Sequence, residues 1–124
     1  MFKNSILECA DNSGAVFIKI TQVYARRTNS LGVRTSVVMR QFDRSKKLQK
    51  KKKYACLILT AKQLIRRSNG LCVKFSQNRG VLFSDRDFDK LLGTRIFGPA
   101  GREIQRKGLE MSILNKLSSN CMFI

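Results

Sequence analysis

The sequence predicts a small, mostly-β protein: a closed five-stranded β-barrel with a projecting β-ribbon and short C-terminal helices. Three observations carry that expectation. Short apolar runs rich in β-branched and aromatic residues recur from residue 15 to residue 83, turn residues separate them, and the apolar spacing becomes helix-like beyond Gly98-Pro99. A chain of 124 residues suits one domain. Residues 1–124 are therefore read as a single unit, with the barrel over about 1–98 and the helical segment over about 99–124.

The first strand expected is AVFIKI, residues 15–20, followed by TSVVMRQF at 35–42 and YACLILTA at 54–61. LCVKF at 71–75 alternates, with Leu71, Val73 and Phe75 on one face, and GVLF at 80–83 closes the set. Asn69-Gly70 lies between two of these runs and suits a tight hairpin turn. Closing such strands into a barrel removes exposed sheet edges. Between two strand runs lies DRSKKLQKKKK, residues 43–53, where only Leu48 is apolar. Such charge density cannot be buried, so this segment reads as the tip of the projecting ribbon. REIQRKGLEMSILNKLSS, residues 102–119, has apolar positions at helical spacing and reads as one or two short helices separated at Gly108.

Twenty-five lysines and arginines against eight acids give a formal net charge of +17. Such a surplus repels itself and calls for a large compensating anion. No acid lies between Asp11 and Asp43, nor between Asp43 and Asp85, and the second gap holds twelve basic residues. A surface built only for solubility mixes both signs, so the pattern points to nucleic acid. An anionic membrane is the competing partner. No apolar run approaches the roughly 18 residues of a spanning helix, and no membrane partner is expected.

The chain has no histidine, so a general base would need a carboxylate, lysine or cysteine of shifted pKa. Cys9, Cys56, Cys72 and Cys121 form no C-x-x-C pair, which argues against zinc. Cys56 and Cys72 sit in apolar runs and read as buried thiols, as in a reducing compartment. Asp85, Asp87 and Asp89 alternate as the ligands of a metal-dependent nuclease can. Their setting between a strand and a loop reads better as a solvated acidic loop. Glycines occur singly, with no phosphate-cradling loop. Neither a cofactor nor a catalytic residue is expected. ADNSGA, residues 10–15, reads as a turn whose side chains bond backbone amides. Phe75, Phe83 and Phe97 lie near basic residues, where bases could stack, though strand positions direct such rings to a core. The equipment suits phosphates and RNA shape more than base readout.

ADNSGA at 10–15, RRSNGLCVKF at 66–75 and GTRIFGPAGREI at 93–104 occur in an order and spacing that resembles large-subunit ribosomal protein fourteen. The resemblance spans nearly the whole chain. It implies the five-stranded barrel, the ribbon and the short C-terminal helices, and it implies no enzymatic activity. It further implies binding to large-subunit rRNA, a place facing the small subunit, and intersubunit bridges that meet small-subunit rRNA. Large-subunit protein nineteen is the implied neighbour, and the C-terminal face is the implied docking site of a ribosome silencing factor.

Carried onto this sequence, Arg26, Arg27, Arg66, Arg67, Lys74 and Arg95 fall on basic family positions and are expected rRNA contacts. Lys46, Lys47, Lys50, Lys51, Lys52 and Lys53 of the lysine ribbon join them. Asn12 and Gly14 are expected to shape the N-terminal turn. Arg102 and Glu103 match an Arg-Glu pair after the Gly-Pro corner and, with Arg106 and Lys107, are expected at the bridging or docking surface. The chain departs from the family pattern at Lys51-Lys52, at Leu59-Thr60-Ala61, at Arg79-Gly80 and in its ending NKLSSNCMFI. Abundant Lys, Asn, Ser, Ile and Phe with one proline fit an organelle-encoded protein of the mitochondrial matrix, made without an import leader. A plastid or a bacterial cytoplasm is the alternative. A docking platform built on residues 99–124 is the second functional reading, and a nuclease is the third.

Overall fold

The computed structural model describes residues 3–24, 31–43, 48–84, 90–106, 115, 117 and 122–124. Five strands close into a barrel: β1 (Ile6–Cys9), β2 (Ala15–Val23), β3 (Arg34–Phe42), β4 (Lys53–Thr60) and β7 (Arg79–Phe83). Neighbours run antiparallel around the ring, through pairs such as Leu7↔Ile18, Ile20↔Val37, Thr35↔Cys56 and Cys56↔Leu82. The ring closes where β1 lies parallel to β7, at Glu8↔Arg79 and Cys9↔Gly80. Register shifts interrupt the β2–β3 and β4–β7 ladders. Such bulges bend and coil strands, as so small a closed ring requires.

The alternation of β2 turns Ile18 and Ile20 inward, where they join Leu7, Val37, Met39, Leu57, Leu82 and Phe83 in one core. Strand β4 is buried from Tyr54 to Thr60 without alternation. Its outward face is therefore covered too. At the bulge between Ile58 and Thr60 the Leu59 carbonyl accepts from the Gly101 amide (3.1 Å). Ala100, Ile104 and Leu117 are buried in the same cluster as the barrel interior. Two short strands, β8 (Pro99–Ala100) and β9 (Met122–Phe123), pair in parallel over this region. Between them lies a 3-10 helix, Arg102–Arg106, and residues 115 and 117 are helical.

The expected barrel strands at 15–20, 35–42, 54–61 and 80–83 are present, but the run at 71–75 is not one of them. Only Cys72–Val73 is extended there, as β6, and it pairs with β5 (Ile65–Arg66) in a separate two-stranded ribbon. Its place in the barrel belongs to β1, whose two-residue parallel register with β7 supplies the closure. The Asn69-Gly70 hairpin is formed: the Gly70 amide donates to the Arg67 carbonyl (3.1 Å), and Gly70 takes φ +86°. Among the described residues the exposed two-stranded ribbon is β5–β6. The β3–β4 ladder ends at Val38↔Lys53. Leu48 then packs against the core, and the Gln49 amide donates to the Tyr54 hydroxyl (3.0 Å). Residues 44–47 and Gly108 lie outside the described residues. Cys72, expected to be buried, is exposed, whereas Cys56 is buried.

Gly80 leaves no room for a side chain in the barrel wall. A Cβ there would stand 2.6 Å from Cys56 Sγ and 3.3 Å from the Leu57 carbonyl. Gly80→Ala should therefore lower stability by about 1–3 kcal/mol through overpacking. Adding Cys56→Ala should restore part of that loss. Chemical denaturation of the three variants against the parent chain measures both effects.

Candidate nucleic-acid interface

Two adjacent side chains at the end of β1 organise the surface. Asp11 is buried, and its Oδ1 accepts from the Ser13 amide (3.1 Å), the Ser13 hydroxyl (2.5 Å) and the Cys9 thiol (2.9 Å). Its Oδ2 accepts from the buried Leu82 amide of β7 (3.1 Å). Asn12 points the other way. Its Oδ1 accepts from the amides of Thr94 (2.8 Å) and Arg95 (3.1 Å), and its Nδ2 donates to the Thr94 hydroxyl (2.9 Å). An isolated bridge between Asp11 and Ile96 continues the contact, and the Phe97 amide donates to the Ala10 carbonyl (2.6 Å). The expected role of Asn12 as a turn former is thus extended: it clamps residues 94–97 to the barrel. Gly14, with φ +103°, does shape the turn.

The same clamp sets thiol chemistry. Burial, then the adjacent Asp11 carboxylate, pushes the Cys9 thiol up to about 12. Burial likewise raises the Cys56 thiol. Both sulfurs stay protonated and unreactive at neutral pH.

Past the clamp the chain turns at Gly98, whose φ is +83°. The Arg79 guanidinium fills the space where a side chain at Gly98 would sit and donates to the Phe97 carbonyl. The segment then runs along β4 to the ribbon. There Arg67 Nε donates to Glu103 Oε1 (2.7 Å) and Nη2 to Oε2 (3.4 Å), a two-pronged ion pair. Arg67 Nη2 also donates to the Ile124 carbonyl, which accepts from the Arg102 amide as well (3.2 Å). Ribbon, Gly-Pro segment and C-terminal strand are joined at this one point.

Besides Lys3, Arg34, Arg40 and Lys90, which are exposed elsewhere, outward cations gather near the two ends of β4 and on the strip leading to Gly98. Lys50, Lys51, Lys52 and Lys53 are exposed at the start of β4, with Lys52 Nζ 5.5 Å from the Tyr54 ring centroid. Lys62, Arg66, Lys74 and Arg102 are exposed around the other end of β4, and Arg95 is exposed on the clamped strip. None of these nine pairs with an acid among the described residues. Arg67 and Glu103, expected to face RNA or a partner, are engaged with each other and partly buried. Lys62 escaped the sequence reading because it stands alone among neutral residues. Arg106 lies in the 3-10 helix, while Arg26, Arg27, Lys46, Lys47 and Lys107 lie outside the described residues, as do Asp85, Asp87 and Asp89. Of the three phenylalanines considered for stacking, Phe83 is fully buried, Phe75 packs on the core and Phe97 is 51% exposed. Among the described residues no helix is long and apolar enough to cross a membrane, and no acidic or thiol cluster could hold a metal ion.

Residues 1–119 match the family model described as ribosomal protein L14p/L23e. Over 108 residues the chain is 32% identical to the large ribosomal subunit protein uL14 of Hydrogenobaculum sp. (strain Y04AAS1), covering 86% of this chain and 88% of the relative.

Asp11→Ala should cost about 1–3 kcal/mol, because a buried Leu82 amide loses its acceptor. Asn12→Ala should be milder in denaturation but should accelerate amide exchange at residues 94 and 95. Exchange unchanged at those amides would contradict the clamp. With iodoacetamide at pH 8, Cys72 should be labelled in the folded chain while Cys9 and Cys56 are not, read peptide by peptide in a mass spectrometer. The raised thiols also fix the sign of the alkaline response. The unfolded chain loses these protons above pH 9 and the folded chain holds them, so stability should fall between about pH 9 and 12.

Proposed function

The chain belongs to the ribosomal protein L14p/L23e family, and on that premise we propose that it binds large-subunit rRNA through the two groups of exposed cations flanking β4. It is a structural protein of the large ribosomal subunit, acting in translation and not as an enzyme. The observation that carries the RNA reading is the set of nine exposed lysines and arginines with no acidic partner among the described residues. Unpaired cations at this density need phosphates. Strand β4 has eight residues, so at about 3.3 Å per residue the two groups stand on the order of 20 Å apart. A folded RNA can meet both groups at once. Arginine forks at Arg66, Arg95 and Arg102 suit phosphate oxygens better than point charges do.

In this reading the face carrying Arg95 and Arg102 turns toward the small subunit and contributes to a bridge with small-subunit rRNA, beside neighbours such as protein nineteen. The setting is a mitochondrial ribosome in the matrix, supported by the Lys-, Asn- and Phe-rich composition with a single proline. A plastid or bacterial ribosome is the alternative, and the relative cited is bacterial.

A second reading, a docking platform for a ribosome silencing factor on residues 99–124, is favoured by the exposed apolar side chains of Met122 and Ile124 in the C-terminal segment. Truncation after Gly98 cannot test it, since Ala100, Ile104 and Leu117 belong to the core. Met122→Asp is the cleaner probe: it should weaken partner binding and leave RNA binding intact.

Affinity for large-subunit rRNA fragments should fall with salt at a log–log slope between roughly −6 and −8, as expected for about nine phosphate contacts. A slope near zero would overturn the RNA reading. Filter binding across a potassium chloride series supplies the number.

A further inference from the structure

A cleft of about 350 Å³ opens between the β5–β6 ribbon and the Arg102 turn, lined by Ile65, Arg66, Arg67, Asn69, Arg102 and Glu103. We propose that it receives a single unpaired nucleotide of RNA. The proposal rests on the rRNA-binding reading and names what one part of that surface recognises.

Four features support it. The walls are held at a fixed separation, because Arg67 on the ribbon grips Glu103 with two hydrogen bonds. That pair also neutralises the acid in the cleft, which would otherwise repel phosphate. Arg66 and Arg102 are exposed and meet no acid among the described residues, so both forks are available to phosphate oxygens. The third feature is the lining beyond the charges. Ile65 is buried and apolar, Ser68 offers a hydroxyl, and Asn69 accepts the Leu71 amide at Oδ1 (3.1 Å) and so keeps its NH2 free to donate. An apolar surface with a few convergent polar groups suits a base and its edge. Size is the fourth. A bare phosphate would leave most of the volume empty, whereas a nucleotide fills it. A base inside a duplex cannot reach such a cleft, but one displaced from a loop or bulge can lie flat on a guanidinium plane.

Binding of the full chain to two RNA hairpins tests this: one perfectly paired, the other identical except for a single bulged nucleotide. The parent chain should prefer the bulged hairpin on the order of tenfold, the scale of one stacked base. Arg66→Ala with Arg102→Ala should reduce both affinities and abolish the preference. Both side chains are exposed and outside the Arg67–Glu103 pair, and an unchanged melting curve verifies the fold. Equal binding of both hairpins by the parent chain would overturn the nucleotide cleft and leave the rRNA reading standing. A preference retained by the double variant would also overturn the cleft. Failure to bind either hairpin even at low salt would overturn both.

Discussion

The fold depends on Asp11 and Asn12, two side chains at the end of β1 that face opposite directions. Asp11 reaches across 71 residues of sequence to the Leu82 amide and so holds β1 against β7, where the barrel closes. Asn12 reaches across 82 residues to Thr94 and fixes the strip that leads to the Gly98-Pro99 corner. From that corner the chain covers the outer face of β4, buries Ile104 and Leu117, and delivers Glu103 to Arg67. A buried carboxylate is tolerable only when its hydrogen bonds are supplied in full. Asp11 receives four. The first and third motifs that marked the family are thus the two halves of one contact.

Much of this was legible in the sequence. The strands at 15–20, 35–42, 54–61 and 80–83 announce themselves because their apolar residues must fill a small interior. Strand β1 did not: ILEC is four residues long, carries Glu8, and is defined by partners far along the chain. LCVKF misled for the complementary reason. Alternation looks the same whether a strand has barrel neighbours or only the two-residue partner Ile65–Arg66. The described lysines of the run, Lys50 to Lys53, are exposed as charge density predicts, but charge density says nothing of strand pairing.

The candidate site was legible as a charge pattern and not as a geometry. Counting cations could not reveal that Arg67 and Arg79 serve the fold, the first by pairing with an acid 36 residues away and the second by filling the space at Gly98. Nor could it reveal the buried role of Asp11, whose turn-forming neighbours disguise it. The structure leaves Arg66, Arg95 and Arg102 outward on backbone that is fixed nearby, so their forks are placed with little freedom to lose on binding. That arrangement, more than the net charge, is what the proposed RNA contact would draw on.

Sedimentation of the tagged chain from its own cells, at high magnesium and again at low magnesium where subunits separate, tests the account most directly. Co-migration with the large subunit under both conditions is the predicted result. Recovery at the top of the gradient, or with the small subunit once the two are apart, would contradict it.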